Sequence, residues 1–266
     1  STQTSLTGDW IFVDGDSSSD GINYDSSENA RSPHAATYGS KLYVTWREDH
    51  DLGSVFSQIR VAELDDTNWS FVDGNTDTGV NGTNAYAYNP KLATDNDNTG
   101  LYLTWEEYPN IYVHEWDDNI SWVQIGSNLN DGDSNSPYIA FHSGNLFATW
   151  SEAAGDYYNI RVKEWNGESW SAIDSSGDSR LINYNPNATG NTPFLISYDS
   201  KLICIWSEKE DSSSDQVRVK QWSGTGTNWN FIDDSNDYTG LNYDTTRSGK
   251  FPHAVVFNSK LYVTWQ

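Results

Sequence analysis

LYVTWRE at residues 42–48 and LYVTWQ at residues 261–266 are almost the same sentence written twice, and the second breaks off at Gln266. Aligning the chain on this phrase gives five copies: LYVTW ending at Trp46, LYLTW at Trp105, LFATW at Trp150, LICIW at Trp206 and LYVTW at Trp265. Each follows a proline-marked start, so that Pro33, Pro90, Pro137, Pro193 and Pro252 hold one repeated position. A regularity of that kind needs an architectural cause.

Each internal copy is followed by a third alternating stretch, IRVAEL (59–64), IYVHEW (111–116), IRVKEW (160–165) and VRVKQW (217–222), and then by a fourth that begins with Trp69, Trp122, Trp170 or Trp229. Short segments with period-2 apolar patterning and turn residues between them read as antiparallel strands. Four such strands form one meander, which cannot bury both of its faces alone; repetition around a ring can, and this predicts a β-propeller. The expected fold is all-β, a single five-bladed domain with four antiparallel strands per blade. Its blades run approximately over 32–74, 89–126, 136–174, 192–233, and 251–266 together with 1–15. The last assignment rests on the match of TSLTGDWIFVDG (4–15) to AELDDTNWSFVDG (62–74), which lets N-terminal strands three and four complete the sheet that C-terminal strands one and two begin.

Composition agrees: aromatic residues are 14% of the chain and Asn, Asp, Ser, Gly and Thr are plentiful, as strands joined by tight turns require. The formal net charge of -23 would repel phosphate backbones, which argues against a nucleic-acid partner. No apolar run is long enough to cross a bilayer, so no membrane insertion is expected. Cys204 stands alone in KLICIW and reads as a small buried hydrophobe. The polar, acidic composition favours a location outside the cell or on its surface, and the Ser at position 1 reads as the start of a processed chain or of a fragment.

Between blades the connections are long, and a small motif recurs in four of them: GINYD (21–25), GVNGT (79–83), LINYN (181–185) and GLNYD (240–244). Ile22, Asn23, Tyr24, Asn81, Asn183, Tyr184, Asn242 and Tyr243 are therefore the candidate ligand-binding residues. An amide offers a donor and an acceptor, and a phenol ring offers a flat apolar face, as the hydroxyls and CH faces of a sugar demand. In the alternative, the apolar residue staples the loop to its blade while the Asn hydrogen-bonds loop backbone. Glu48, Glu107, Glu152 and Glu208, two places after each repeat Trp, read as structural partners of the arginines on the neighbouring strand. His34 and His253 share one repeat position at the start of the innermost strand, where they would line a central channel. The Asp-rich stretches 14–20 and 131–135 evoke calcium loops but lack the terminal bidentate Glu, and turn formation explains them without an ion, so no cofactor is expected.

The repeat, from SKLYVTWSE-like through IRVKxWNG-like to GLNYD-like segments, resembles the propeller repeats of secreted and surface proteins of bacteria. The five-blade count with equivalent inter-blade sites is similar in architecture to tachylectin-2-type lectins. That resemblance implies a non-enzymatic, multivalent carbohydrate-binding propeller whose partners are glycans or cell-surface polysaccharide. One alternative is a structural or adhesive propeller that self-associates through its loops or its fifth blade. Another is a five-bladed glycoside hydrolase, which would need unlike acids on different blades near the axis, whereas the acids seen here are copied from blade to blade.

Overall fold

The structure, a computed structural model, describes residues 21–51, 55–66, 68–74, 78–82, 86–95, 97–118, 121–174, 182–210, 214–233 and 240–266. Among these there is no helix, and hence none long and apolar enough to cross a membrane. The first sheet contains β1 (Ala30–Tyr38), β2 (Lys41–Asp51), β3 (Val55–Asp65) and β4 (Asn68–Phe71) in that order. The second contains β5 (Ala87–Thr94), β6 (Leu101–Glu107), β7 (Asn110–Trp116) and β8 (Trp122–Gln124). The third holds β9 (Ser134–His142), β10 (Asn145–Ala154), β11 (Tyr157–Trp165) and β12 (Trp170–Ala172), and the fourth β13 (Ala188–Tyr198), β14 (Lys201–Glu210), β15 (Gln216–Trp222) and β16 (Trp229–Phe231). The fifth pairs β17 (His253–Phe257) with β18 (Lys260–Thr264). All pairings are antiparallel between sequence neighbours, as a meander requires. The segment 1–15, expected to complete the fifth sheet, lies outside the described residues.

The first strands of successive sheets, β1, β5, β9, β13 and β17, pack against one another and surround a shared cavity, which makes them the inner strands. The repeated proline now has its cause. The residue before it, Ser32, Asn89, Ser136, Thr192 or Phe251, adopts a left-handed backbone with φ between 48° and 55°. In the four complete sheets the inner ladder slips register at this point, at Arg31/His34, Tyr88/Lys91, Thr149/Ser151 and Asn191/Phe194. Such a bulge bends the strand and re-aims the next side chain. A left-handed conformation is unfavourable for β-branched Thr192 and bulky Phe251, so the bulge is held by the surrounding sheet rather than by local preference. The inner strands consequently start at Ala30, Ala87, Ser134 and Ala188, ahead of the expected 32, 89, 136 and 192.

The core is divided among the interfaces between sheets. Phe147, Ile160 and Val162 of the third sheet, for example, meet Leu195, Leu202, Cys204 and Trp206 of the fourth. Trp46, Trp105, Trp150 and Trp206 are each at most 2% exposed, whereas Trp265 on the two-stranded sheet is 38% exposed. The Trp that opens each outer strand ties its sheet to the one before. Trp122 Nε1 donates to Val72 O at 3.0 Å, Trp170 Nε1 to Ile125 O at 3.1 Å and Trp229 Nε1 to Ile173 O at 3.0 Å. The second of these contacts needs Gly126, because a Cβ there would stand 2.7 Å from the Trp170 ring.

Candidate functional site

The recurrent Asn motif is a loop anchor in every copy whose partners are described. Asn81, Asn183 and Asn242 each accept a hydrogen bond from the backbone N–H of Ile59, Ile160 or Val217 on the third strand. Their Nδ2 groups donate to backbone carbonyls, of Ser57 for Asn81, of Tyr158 and Ala188 for Asn183, and of Asp215 and Arg247 for Asn242. Asn23 Nδ2 likewise donates to Glu28 O at 3.0 Å. Sequence alignment missed a further copy: Asn130 accepts from Ile111 N and donates to Pro109 O and Gly132 O. Leu129–Asn130 is the motif in the one connection that is cut short, and the shortening hid it.

The apolar and aromatic members of the motif divide in two. Ile182 is fully buried and Ile22 half-buried. Tyr24 and Tyr184 cap buried arginines, with the guanidinium carbon of Arg60 3.8 Å from the Tyr24 ring centre and that of Arg218 4.2 Å from Tyr184. Tyr243 is fully exposed. The structure thus places the eight predicted residues in separate loops and spends most of their polar atoms on backbone.

The repeated Glu is part of the same scaffold. Trp46, Trp150 and Trp206 donate their indole N–H to Glu48, Glu152 and Glu208 at 2.7–3.0 Å. Glu48 also accepts the N–H groups of Tyr24 and Asp25, and Glu208 those of Tyr184 and Asn185, which pins the Asn loops onto the blade. The arginine opposite pairs with an aspartate at the end of the outer strand, Arg60 with Asp73 at 3.2 Å and Arg218 with Asp233 at 3.4 Å; Arg161 pairs with Asp174 in the same way. In the second sheet both partners are replaced together: Tyr112 takes the arginine position and stacks on Trp105, while Gly126 takes that of the aspartate.

The repeat also departs from itself at the axis. The residue after each repeated proline is His34, Lys91, Tyr138, Phe194 or His253, five different environments at one repeat position. All five line a cavity of about 370 Å³ between the inner strands, and the bulge described above is what turns them into it. The two imidazoles singled out in the sequence are thereby brought together, across the fifth and first sheets. Their rings join a chain of aromatic contacts, His34 to Tyr138 at 6.0 Å, Tyr138 to Phe194 at 4.4 Å and Phe194 to His253 at 4.4 Å between centres. His34 Nδ1 accepts the Leu92 N–H at 3.2 Å, so the proton of the neutral ring sits on Nε2.

Electrostatics at the axis are unusual for so acidic a chain. Among the described residues no carboxylate lines the cavity. Burial, with Lys91 and His253 nearby, lowers the His34 imidazole to about 4, and burial with Lys91 lowers His253 as well. Burial also lowers the Lys91 ammonium. Behind the wall stands Glu106, a carboxyl at a position occupied by Arg47, Ser151, Ser207 and Gln266 in the other copies. It accepts the Ser136 N–H at 2.6 Å and the Asn89 side-chain amide at 3.3 Å, both from residues of the cavity lining. Burial raises its carboxyl above the usual range despite those hydrogen bonds. Among the described residues no three His, Cys, Asp or Glu side chains converge as a metal site; the stretch 14–20 lies outside those residues.

No protein-family model matches the chain, and no curated protein matches it in sequence. Solved structures do match in fold. An α-L-arabinanase from Penicillium chrysogenum complexed with arabinobiose is 13% identical, with 88% of this chain and 74% of that one covered at a TM-score of 0.57. The catalytic domain of the GH62 α-L-arabinofuranosidase from Coprinopsis cinerea is 10% identical, covering 90% and 84% at 0.54. A thermostable family-43 glycoside hydrolase is 15% identical, covering 90% and 83% at 0.52. At such identities the likeness is one of fold. It corrects the sequence reading nonetheless: the fold is shared with glycoside hydrolases rather than with tachylectin-type lectins, and it withdraws the support for a non-enzymatic sugar-binding or adhesive propeller that the lectin likeness had lent.

Proposed function

We propose that this chain is a glycoside hydrolase that cleaves its substrate in the axial cavity, with Glu106 as proton donor and His253 as the base that activates water. The observation that carries this reading is a pair of unlike titratable groups beside one cavity, a carboxyl pushed up by burial and an imidazole pushed down. Environments that separate two groups in this way assign an acid and a base. His34 is not the base, since its Nδ1 is occupied by the Leu92 N–H and its Nε2 carries the proton. In the reaction, water attacks the anomeric carbon and passes its proton to His253, while the Glu106 proton reaches the departing oxygen from behind the Asn89 and Ser136 wall by way of one intervening water. An imidazole thus serves where most glycosidases use a second carboxylate, because among the described residues no carboxylate besides Glu106, behind the wall, stands by this cavity. The glycoside-acting neighbours of the same fold support the reading.

Reducing ends released from a panel of arabinan, arabinoxylan, mannan and pectin test it. Wild type should cleave at least one, and Glu106→Gln should lower that rate about 10²–10⁴-fold with an unchanged melting temperature. Absence of product from every substrate, or full activity in Glu106→Gln, overturns it.

The same reading includes a closed ring, in which residues 1–15 add the two outer strands to β17 and β18. Two observations support this closure: the match of 4–15 to the outer half of the first sheet, and the exposure of Tyr262 and Trp265, whose counterparts Tyr43 and Trp46 are buried.

A further inference from the structure

Among the described residues the axial cavity presents donors and no acid. In a chain with a net charge of -23, the charged or titratable residues that line it are His34, Lys91, Tyr138 and His253. Lys91 has no hydrogen bond or ion pair among the described residues, and the nearest carboxyl that influences it, Glu106, is engaged by Ser136 and Asn89. An ammonium with three N–H donors and an imidazole whose free nitrogen carries a proton share one wall, on adjacent inner strands. Two donors without an acceptor between them call for an anionic acceptor, and charge-assisted hydrogen bonds to a carboxylate are the strong kind.

We propose that Lys91 and His34 form a carboxylate-binding subsite, so that the glycan taken by the axial cavity contains a uronic acid. The sugar half of this inference rests on the hydrolase reading; the anion half rests on the cavity wall alone. Tyr138 and Phe194 supply the apolar faces against which the sugar ring lies. An anion also offsets the Lys91 charge that, after burial, helps to hold His34 low, so occupancy and protonation of His34 are linked.

The test is a titration of the full chain with D-galacturonate, with D-galactose and acetate as comparisons, read by the histidine ring resonances and by calorimetry. Galacturonate should shift the His34 resonances and raise its protonation midpoint by about one pH unit, and galactose should do neither. Lys91→Met should weaken galacturonate binding about tenfold while Lys91→Arg retains most of it. His34→Phe, which removes the second donor while keeping a ring in the wall, gives the same reading should Lys91→Met fail to fold. Equal binding of galactose and galacturonate, or galacturonate binding indifferent to both substitutions, overturns the subsite. Acetate binding as tightly as galacturonate overturns its sugar half. Cleavage of a neutral glycan without galacturonate binding defeats this inference and leaves the hydrolase reading standing; galacturonate binding without cleavage of any glycan does the reverse.

Discussion

Arg218→Met is expected to lower the unfolding free energy by about 3–5 kcal/mol, the cost of leaving one member of a buried ion pair without the other. The side chains of Arg218 and Asp233 are 2% and 0% exposed, and Asp233 also accepts the Val219 N–H at 3.0 Å. Met fills much of the volume but leaves the Asp233 carboxylate uncompensated in a site closed to water, and it removes the guanidinium on which the Tyr184 ring rests. Arg161→Met should cost distinctly less, because that side chain is 28% exposed and water can replace part of what it gives. The second sheet shows how the pair is dispensed with, by Tyr and Gly at the two positions together. Arg218→Tyr combined with Asp233→Gly should therefore destabilise less than the sum of its parts. Urea unfolding midpoints read all of these. A loss under about 1 kcal/mol for Arg218→Met would show that this network does not hold the loops as described.

Removal of residues 1–15 is expected to cost about as much. On the two-stranded sheet Val255, Phe257, Tyr262 and Trp265 are 56%, 62%, 46% and 38% exposed. Covering Tyr262 and Trp265 as Tyr43 and Trp46 are covered in the first sheet would contribute about 1.5–3 kcal/mol for each large side chain. The shortened chain should unfold at a lower urea concentration and should associate as its concentration rises, since an uncovered apolar face and an open strand edge both invite partners. A synthetic peptide of residues 1–15 should restore the midpoint by mass action. A shortened chain with the full-length midpoint would exclude closure by this segment.

The four-stranded units were legible in the sequence because strand patterning has a period of two and the Trp and Pro markers keep its phase. The function of the proline marker was not legible, since a positive φ at Ser32 or Thr192 depends on the sheet around it and not on the residue type. The Asn motif was visible as a motif, but whether an amide faces a ligand or the backbone is decided by coordinates, and Asn183 meets Ile160, Tyr158 and Ala188. Alignment by similarity also drew attention to what the blades share. The axial residues share only a position, so Lys91, Tyr138 and Phe194 stayed hidden while the identical pair His34 and His253 stood out. Glu106 was overlooked for the same reason, standing one place before a repeated Glu that repetition made conspicuous.

The claim on which the functional account depends is that substrate engages the axis of the ring and not the clefts between its blades. A crystal structure of Glu106→Gln with the glycan that wild type cleaves best tests this most directly. The account predicts sugar bound between His34, Lys91 and His253, with a ring against Tyr138 or Phe194. Sugar held instead on the loops around Tyr24 and Tyr184, with the axial cavity bare, would contradict it.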